Sequence, residues 1–235
     1  MQFKQPLVRG KLIKRYKRFL ADVALDSGET ITASCANTGS MLGLTEVGNT
    51  VWLSRSESPT RKYPHTWELV ELPDQGLVGI NTGHPNRIVS EAISRQHILA
   101  LNGYATLRTE VKYGRNSRID VLLEDPDRRP CYVEIKNVHF FRETGLAEFP
   151  DCVTERGAKH LVELSNMVAE GARAVMVYLI QCQKPERFAL ASDKDPFYFN
   201  EFKKAKRAGV EALALTCHIT LNEIIVDKTI QIVDG

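Results

Sequence analysis

The residues best suited to chemistry are an acid and an amine two positions apart, Glu134 and Lys136, in the run Tyr132-Val133-Glu134-Ile135-Lys136-Asn137-Val138. In a strand, residues i and i+2 share a face, so the carboxylate and the ammonium project together. Val133, Ile135 and Val138 frame them with apolar side chains, unlike an ordinary solvated surface. Residues 118–123 also have strand character, and a turn-rich stretch, 124–130, joins the two segments. Such a hairpin sets Asp120 beside Glu134. Two carboxylates can hold a hard divalent cation such as Mg2+ (or Mn2+), which takes oxygen ligands and keeps several waters. A lysine ammonium alongside can orient an attacking water or neutralise phosphate charge during phosphodiester cleavage. A Glu and a Lys so spaced on an exposed strand are more often solvated or paired across the sheet. The apolar frame, the acid one hairpin earlier and the helices that flank the segment favour a site.

Those helices and strands fall into two groups. The first eighty residues read as short strands at 7–13, 19–25, 30–33, 50–53 and 67–72, separated by turns at 26–29 and 46–49. About five strands in that length fit an OB-type barrel, a fold often used for oligonucleotides. Residues 35–41 read as a loop, and the loop 54–64 gathers Arg55, Arg61, Lys62 and Tyr63. Gly79, Asn81, Gly83 and Pro85 crowd the next stretch, which sets the expected boundary between domains 1–82 and 83–235.

Beyond it, Asn86 is the expected N-cap of a helix whose stripe is Ile88, Val89, Ala92, Ile93, Leu99 and Ala100, stopped by Asn102-Gly103. A strand at 104–113 and a turn at 114–117 lead into the Asp120 and Glu134 strands, completing a meander. The clearest helix spans 154–170, with Ala158, Leu161, Val162, Ser165, Val168 and Ala169 at helical spacing and Gly171 as its stop. A continuous apolar run at 172–180 reads as a buried strand, followed by a helix at 199–208 and a strand at 211–217. The chain is therefore expected to be α+β: an OB-like β-barrel followed by an α/β domain of order αβββαβαβ, with a mixed sheet. Lys203, Lys204, Lys206 and Arg207 before Ala208-Gly209-Val210 superficially imitate a helix-turn-helix, but the strand-like 210–217 leaves it without a recognition helix.

Composition narrows the partners. The 235 residues, 43% hydrophobic and 26% charged, describe an ordinary globular protein. No apolar run nears the ~20 residues that span a bilayer, so no membrane partner is expected. Met1-Gln2-Phe3-Lys4 lacks the apolar core of a secretion signal. Five scattered cysteines without a Cys-x-x-Cys pair argue against a disulfide framework or zinc site and for a reducing cytoplasm. The net charge of +2 hides an asymmetry. Residues 1–20 hold seven cations (Lys4, Arg9, Lys11, Lys14, Arg15, Lys17, Arg18) and no acid; taking them from the total of 31 leaves 24 bases against 29 acids. Cations gathered at one end, interleaved with Tyr16 and Phe19, are the footprint of a nucleic-acid partner. The plainer alternative is a solvated basic strand edge.

Asp on one strand and Glu-x-Lys on the next resembles the core of the PD-(D/E)xK nucleases. With Asn37-Thr38-Gly39-Ser40-Met41, the stretch from Arg61-Lys62-Tyr63 to Trp67-Glu68, Arg118-Ile119-Asp120, Val133 to Asn137 and Gly157-Ala158-Lys159-His160-Leu161, the chain resembles the sugar fermentation stimulation protein A family from end to end. The resemblance implies an OB-like domain, a PD-(D/E)xK-type domain, and a bacterial or archaeal DNA-binding protein linked to regulation of sugar (maltose) metabolism. It makes Asp120 and Glu134 metal ligands, adds the backbone carbonyl of Ile135, and makes Lys136 the catalytic cation. Related nucleases often add a Glu from the first helix, a role for which Glu91 is the candidate, although an exposed helix carboxylate is the plainer reading. Lys159 and His160 stand where many exonuclease relatives carry Gln and Tyr. A lone helical histidine is usually structural, yet His160 is placed to join the catalytic set.

The expected DNA contacts are Lys11, Lys14, Arg15, Tyr16, Lys17, Arg18, Arg61, Lys62, Lys159, Lys203 and Lys204. Two functions remain open at this level: a Mg2+-dependent nuclease, or a non-catalytic DNA-binding regulator that uses the nuclease fold only to grip. RNA stays open as a partner, since OB domains accept either polymer. So does the oligomeric state, a homodimer included.

Overall fold

Strands too short to bury a face alone curl into a closed barrel in the first part of the computed structural model, which describes residues 1–114 and 117–233. The barrel strands are β1 (Val8–Tyr16), β2 (Leu20–Leu25), β3 (Thr30–Cys35), β4 (Thr50–Arg55) and β5 (His65–Leu72). They run in the order β3-β2-β1-β4-β5, and parallel pairing of Ser34 with Thr66 closes the ring. Leu12, Val23, Ala33, Val51, Leu53 and Trp67 fill the interior. This is the five-stranded OB barrel expected from the turn spacing. A short β6 (Gly76–Gly79) then extends the sheet along β5 and carries the chain out of the barrel.

The second part begins with α1 (Pro85–Ser94). Its N-cap is His84, not Asn86 as expected: Pro85 lacks an N–H and has φ preset for the first helical position, so the helix starts two residues earlier. The helix also stops at Ser94 rather than at Asn102-Gly103, because Gln96 takes a left-handed φ of 58°. Leu99 falls in a separate single turn of 3₁₀ helix and is 87% exposed, so it leaves the apolar stripe. Next come β7 (Thr106–Tyr113), β8 (Ser117–Asp125) and β9 (Arg128–Val138), the antiparallel meander read from the sequence. Arg115 and Asn116 of the expected 114–117 turn lie outside the described residues.

The remaining elements are β10 (Phe140–Glu143), β11 (Leu146–Phe149), α2 (Glu155–Ala169), β12 (Arg173–Ile180), β13 (Arg187–Leu190), α3 (Pro196–Arg207), β14 (Glu211–Ile219) and β15 (Ile224–Val233). All the strands from β7 onward form one mixed sheet of order β10-β11-β13-β15-β14-β12-β9-β8-β7. β10, β11, β13 and β15 were not anticipated. Three of them are only four residues long, and β15 alternates too weakly to stand out. The parallel centre, β9-β12-β14, is buried on both faces, which is why it reads as continuous Val/Ile/Leu.

One sheet face receives α1 through Ile88, Val89, Ala92 and Ile93 against Val121, Val133, Val175 and Val177. The other receives α2 and α3, with Leu161 and Leu164 against Met176 and Tyr178. That second core runs without a break into the barrel, joining Tyr178 and Phe188 to Trp67 and Leu12. Where the parts meet, the Gly79 N–H donates to the Gln181 carbonyl at 2.9 Å. A Cβ on Gly79 would overlap the Gln181 side chain, so only glycine permits this approach.

Candidate active site

The β8–β9 ladder pairs Leu122 with Tyr132 and Val121 with Val133, and ends there. The next residues would be Asp120 and Glu134. Instead, the Asp120 carboxylate reaches across, and its Oδ2 accepts the Ile135 N–H at 2.7 Å. A side chain thus replaces the lost ladder partner and holds a fork open between the strands. On a strand residue the N–H and C=O point to the same side, so the Ile135 carbonyl faces the same fork. Asp120 Oδ1 is held in turn by Asn86 Nδ2 at 2.8 Å, from the first turn of α1. The Asn86 amide also reaches Glu110 Oε1 at 3.2 Å. The β7–β8 ladder passes from Thr109↔Val121 to Val111↔Ile119, skipping Glu110 opposite Asp120. Glu110 sits there at φ 54°, a left-handed conformation costing on the order of 1–3 kcal/mol for a non-glycine residue. Asn86 and Glu110 were not foreseen from the sequence.

Glu134, 2% exposed, points to the α2 side of the sheet. Its Oε1 accepts from Lys136 Nζ at 2.8 Å, as the i, i+2 spacing requires, and is in direct contact with His160 Nδ1. His160 lies on the buried face of α2, whose start is fixed by Thr154 accepting the Gly157 N–H. Gly157 is needed at this point because a Cβ there would sit 2.8 Å from the Thr154 hydroxyl and 3.1 Å from the Tyr198 ring. One turn before His160, Arg156 Nε–H donates to His160 Nε2 at 3.4 Å. A donor facing Nε2 assigns the imidazole proton to Nδ1, toward Glu134. Lys136 Nζ also lies 3.3 Å from His160 Nδ1. Glu134, Lys136 and His160 therefore form one buried cluster, with Asp120 at its edge.

The two acids differ electrostatically. Burial, reinforced by the charge of Glu134, pushes the Asp120 carboxyl above its ordinary value, while the Ile135 N–H, Asn86 and Lys136 pull it back. Burial also pushes up Glu134, but the hydrogen bond from His160 and the charge and hydrogen bond of Lys136 win, holding it below its ordinary value. The buried Tyr113 phenol is raised by burial and then by Glu134, Glu163 and Asp120, so three carboxylates converge on one region. Glu163, on α2 with Lys159 Nζ 3.6 Å away, was a further residue missed from the sequence.

This region suits a hard cation. Buried like charges need a counter-charge, and Glu134 Oε2 is buried without a hydrogen-bond partner. Among the described residues no three His, Cys, Asp or Glu side chains form a ready metal cluster. The available donors are two carboxylates and a carbonyl, to be completed by water. Mg2+ and Mn2+ accept that donor set, whereas structural zinc wants four N or S ligands.

Other expected site residues lie elsewhere. Glu91 is not at the fork: it pairs with the Met1 ammonium at 2.9 Å and with Arg87 at 2.7 Å. Arg15 Nη2 donates to the carbonyls of Arg18, Asn37 and Gly39, each at 2.9 Å, and Arg18 Nε to that of Thr38 at 2.8 Å. Both arginines thus brace the 37–41 loop. Lys14 pairs with Asp22 at 3.4 Å, Tyr16 with Asp22 at 3.0 Å, and Lys11 with Thr50 at 3.0 Å. Lys17 is exposed at the β1–β2 tip. Arg61 donates to Thr66 at 2.7 Å and Lys62 lies over the Tyr63 ring. On α3, Lys203 covers the Phe199 ring and Lys204 pairs with Glu201 at 2.6 Å.

The motif residues outside the fork join the two parts of the chain. Asn37 Nδ2 donates to the Ile80 carbonyl at 3.1 Å. The Ser40 hydroxyl and the Met41 N–H both donate to Asp151 Oδ2, at 2.6 and 3.2 Å. Glu68, buried in β5, accepts from Ser54 at 2.6 Å and Asn81 at 2.7 Å, and contacts His84 at 2.7 Å. Because His84 caps α1, this cluster sets the helix start that aims Asn86 at Asp120.

Known proteins agree with this architecture. The family model described as "SfsA N-terminal OB domain" matches residues 13–80, and "Sugar fermentation stimulation protein RE domain" matches residues 83–223. A sugar fermentation stimulation protein homolog from Brucella ovis is 58% identical over 234 residues, covering 100% of this chain and 98% of that protein. The homolog from Rhodospirillum centenum is 58% identical over 232 residues, covering 99% of each. The solved structure of Pyrococcus furiosus SfsA in complex with Ca2+ superposes with a TM-score of 0.88 at 26% identity, covering 99% of this chain and 97% of that one. The chain belongs to the sugar fermentation stimulation protein family.

Proposed function

We propose that the protein is a divalent-metal-dependent phosphodiesterase acting on DNA, with the barrel of residues 1–82 as a gripping domain and residues 83–235 as the cutting domain. The observation that carries this reading is the meeting of Asp120, Glu134, Lys136 and His160 at the β8–β9 fork, with one buried Glu134 oxygen lacking a partner. A protein that only binds DNA has no use for two buried acids and an amine in one cluster. That the P. furiosus relative is in complex with Ca2+, a hard oxygen-seeking ion, supports the same reading.

Asp120, Glu134 and the Ile135 carbonyl would hold Mg2+ or Mn2+. Such an ion, when bound, polarises a phosphoryl oxygen and acidifies a coordinated water. The chain's own residues supply the rest. Asn86 and the Ile135 N–H fix the Asp120 carboxylate so that it cannot rotate away from the fork. Lys136, tethered to Glu134 and only 14% exposed, offers its ammonium to the charge that develops on the phosphate. His160 holds Glu134 from the other side, and Arg156 brings a guanidinium to the mouth of the site. No helix among the described residues is long and apolar enough to cross a membrane. The proposed DNA substrate is consistent with a cytoplasmic protein.

The test is cleavage of single- and double-stranded DNA with Mg2+ or Mn2+, comparing the natural chain with Asp120→Ala and Lys136→Ala. A loss of at least a hundredfold is expected for each variant. Equal activity in all three preparations would identify a contaminant and end the proposal.

A further inference from the structure

Three of the large apolar side chains left exposed on this protein lie around the segment leading into α2. Phe19, 51% exposed, sits at the β1–β2 tip, Val153, 67% exposed, just before the Thr154 cap, and Phe197, 59% exposed, in the first turn of α3. Hydrogen bonds tie these positions together. Arg18 Nε donates to the Thr38 carbonyl at 2.8 Å, and Ser40, two residues on, donates to Asp151 at 2.6 Å. The Thr154 N–H donates to Asp195 Oδ2 at 2.8 Å, and Asp195 caps the helix that carries Phe197. The charge of Arg18 is felt at the Cys152 thiol, as this proximity requires.

The tip is also stiff. Lys17 and Arg18 are both in the left-handed region, at φ 50° and 65°, and Arg15 clamps the turn by donating to the Arg18 carbonyl. A water-facing phenylalanine on a braced, strained turn gains nothing from folding. Cations accompany the rings. Lys17 and Arg18 immediately precede Phe19, and Arg156, exposed on α2, links the surface to His160 of the fork. Along the helix axis His160 is only about 8 Å from the first residue of α2. The exposed carboxylates nearby are Glu155 and Asp193, the second of which is paired with Arg142. Exposed rings beside positive charge, leading to a phosphodiester-cleaving site, have the chemistry of a single-stranded nucleic acid: unpaired bases stack and phosphates pair. A closed duplex hides its base faces and offers nothing to Phe19 or Phe197.

We propose that the surface around Phe19, Val153 and Phe197 binds a single-stranded segment of DNA and feeds it toward Asp120 and Glu134. The inference rests on the proposed cutting role of that fork and names its substrate as DNA with an unpaired end.

The test is equilibrium binding by the full chain in EDTA, read by fluorescence anisotropy of a labelled single strand of about 12 nucleotides, within the span of an OB domain. A blunt duplex of the same sequence is the control. Phe19→Ala and Phe197→Ala should each weaken single-strand binding about 5- to 150-fold, the range for loss of one stacked base, and leave duplex binding within about twofold. Phe19→Tyr, which keeps the ring, should bind single strands like the natural chain. Unchanged single-strand affinity in both alanine variants overturns the proposal. So does an equal loss on the duplex, or a failure of Phe19→Tyr to restore binding. RNA of the same sequence outcompeting the DNA would overturn the choice of polymer. Because cleavage is silent in EDTA, failure here leaves the cutting role standing, and failure of the Asp120 and Lys136 variants leaves this surface standing.

Discussion

Replacing Glu134 and Asp120 by their amides should disable cleavage alike but move stability unequally. Glu134 is buried and accepts from Lys136 at 2.8 Å and from His160. Glu134→Gln strands an ammonium that is only 14% exposed. Breaking a buried pair from one side costs about 3–5 kcal/mol. For a chain of this size each kcal/mol is worth about 2–4 °C, so the melting temperature in EDTA should fall by about 6–20 °C. Asp120 is the opposite case, because burial and the neighbouring Glu134 make its charge unfavourable. Removing that charge in Asp120→Asn relieves both effects but sets the new amide NH2 against one of the two donors that Asp120 accepts, from the Ile135 N–H and Asn86, so the metal-free protein should lose clearly less stability at neutral pH than Glu134→Gln does. The pH dependence has matching signs. Asp120's folded pKa is raised, so its contribution is full below the ordinary 3.8 and lost as pH rises through the raised value. Glu134's is lowered, so its contribution is present above the ordinary 4.5 and lost as pH falls through the lowered value. The assay is thermal unfolding in EDTA, repeated with Mg2+ or Ca2+. Saturation to about a hundred times the dissociation constant should stabilise the natural chain by about 2.7 kcal/mol, or about 5–11 °C, and neither amide variant comparably. If Asp120→Asn lost as much stability as Glu134→Gln, the two acids would occupy equivalent environments and the argument for a cation-seeking fork would fail.

Three other outcomes follow from single contacts. Asn86→Ala removes a hydrogen bond to a carboxylate, worth about 1.5–3 kcal/mol, and should lower kcat/KM about 10- to 150-fold with little change in fold by circular dichroism; unchanged kinetics would show that Asp120 needs no such support. Asp151→Asn weakens the bonds from Ser40 and the Met41 N–H, and its folded pKa is held low despite burial chiefly by His139 and Ser40. It should reduce stability by about 2–4 kcal/mol above pH 4, a deficit that narrows as acid titrates the natural carboxylate; a constant deficit down to low pH contradicts the role of its charge. Lys17→Ala, at the exposed tip, should reduce the slope of log K against log salt by about 1 on single-stranded DNA, and an unchanged slope would remove the tip from the phosphate path.

Strand period was readable wherever burial imposes it. The alternation in 118–123 and 132–138 places Asp120, Glu134 and Lys136 on adjacent strands of a hairpin, and the fold keeps them there. The same reasoning misjudged the first helix. Asn86 looked like a cap because its residue type suits one, but Pro85 moved the start to His84 and released the Asn86 amide toward Asp120. Successive helical residues turn by about 100°, so Glu91, five positions later, points about 140° away from Asn86 and meets the chain terminus instead. The basic segment carried a second ambiguity: its charges were countable, but the carbonyls that claim Arg15 and Arg18 belong to a loop some twenty residues away.

By itself, then, the order of residues determined the barrel strands, five of the nine strands of the mixed sheet (β7, β8, β9, β12 and β14) and the trio of Asp120, Glu134 and Lys136. Each of these follows from the period of a single segment or from two strands joined by one short turn. Only the tertiary structure decided that His160 reaches Glu134 from 26 positions away, that Asn86 and Glu110 meet at Asp120, and that hydrogen bonds link the turns carrying the exposed Phe19, Val153 and Phe197. Such meetings depend on how whole elements cross and pack. Local periodicity says which face a side chain takes, and packing decides what that face touches.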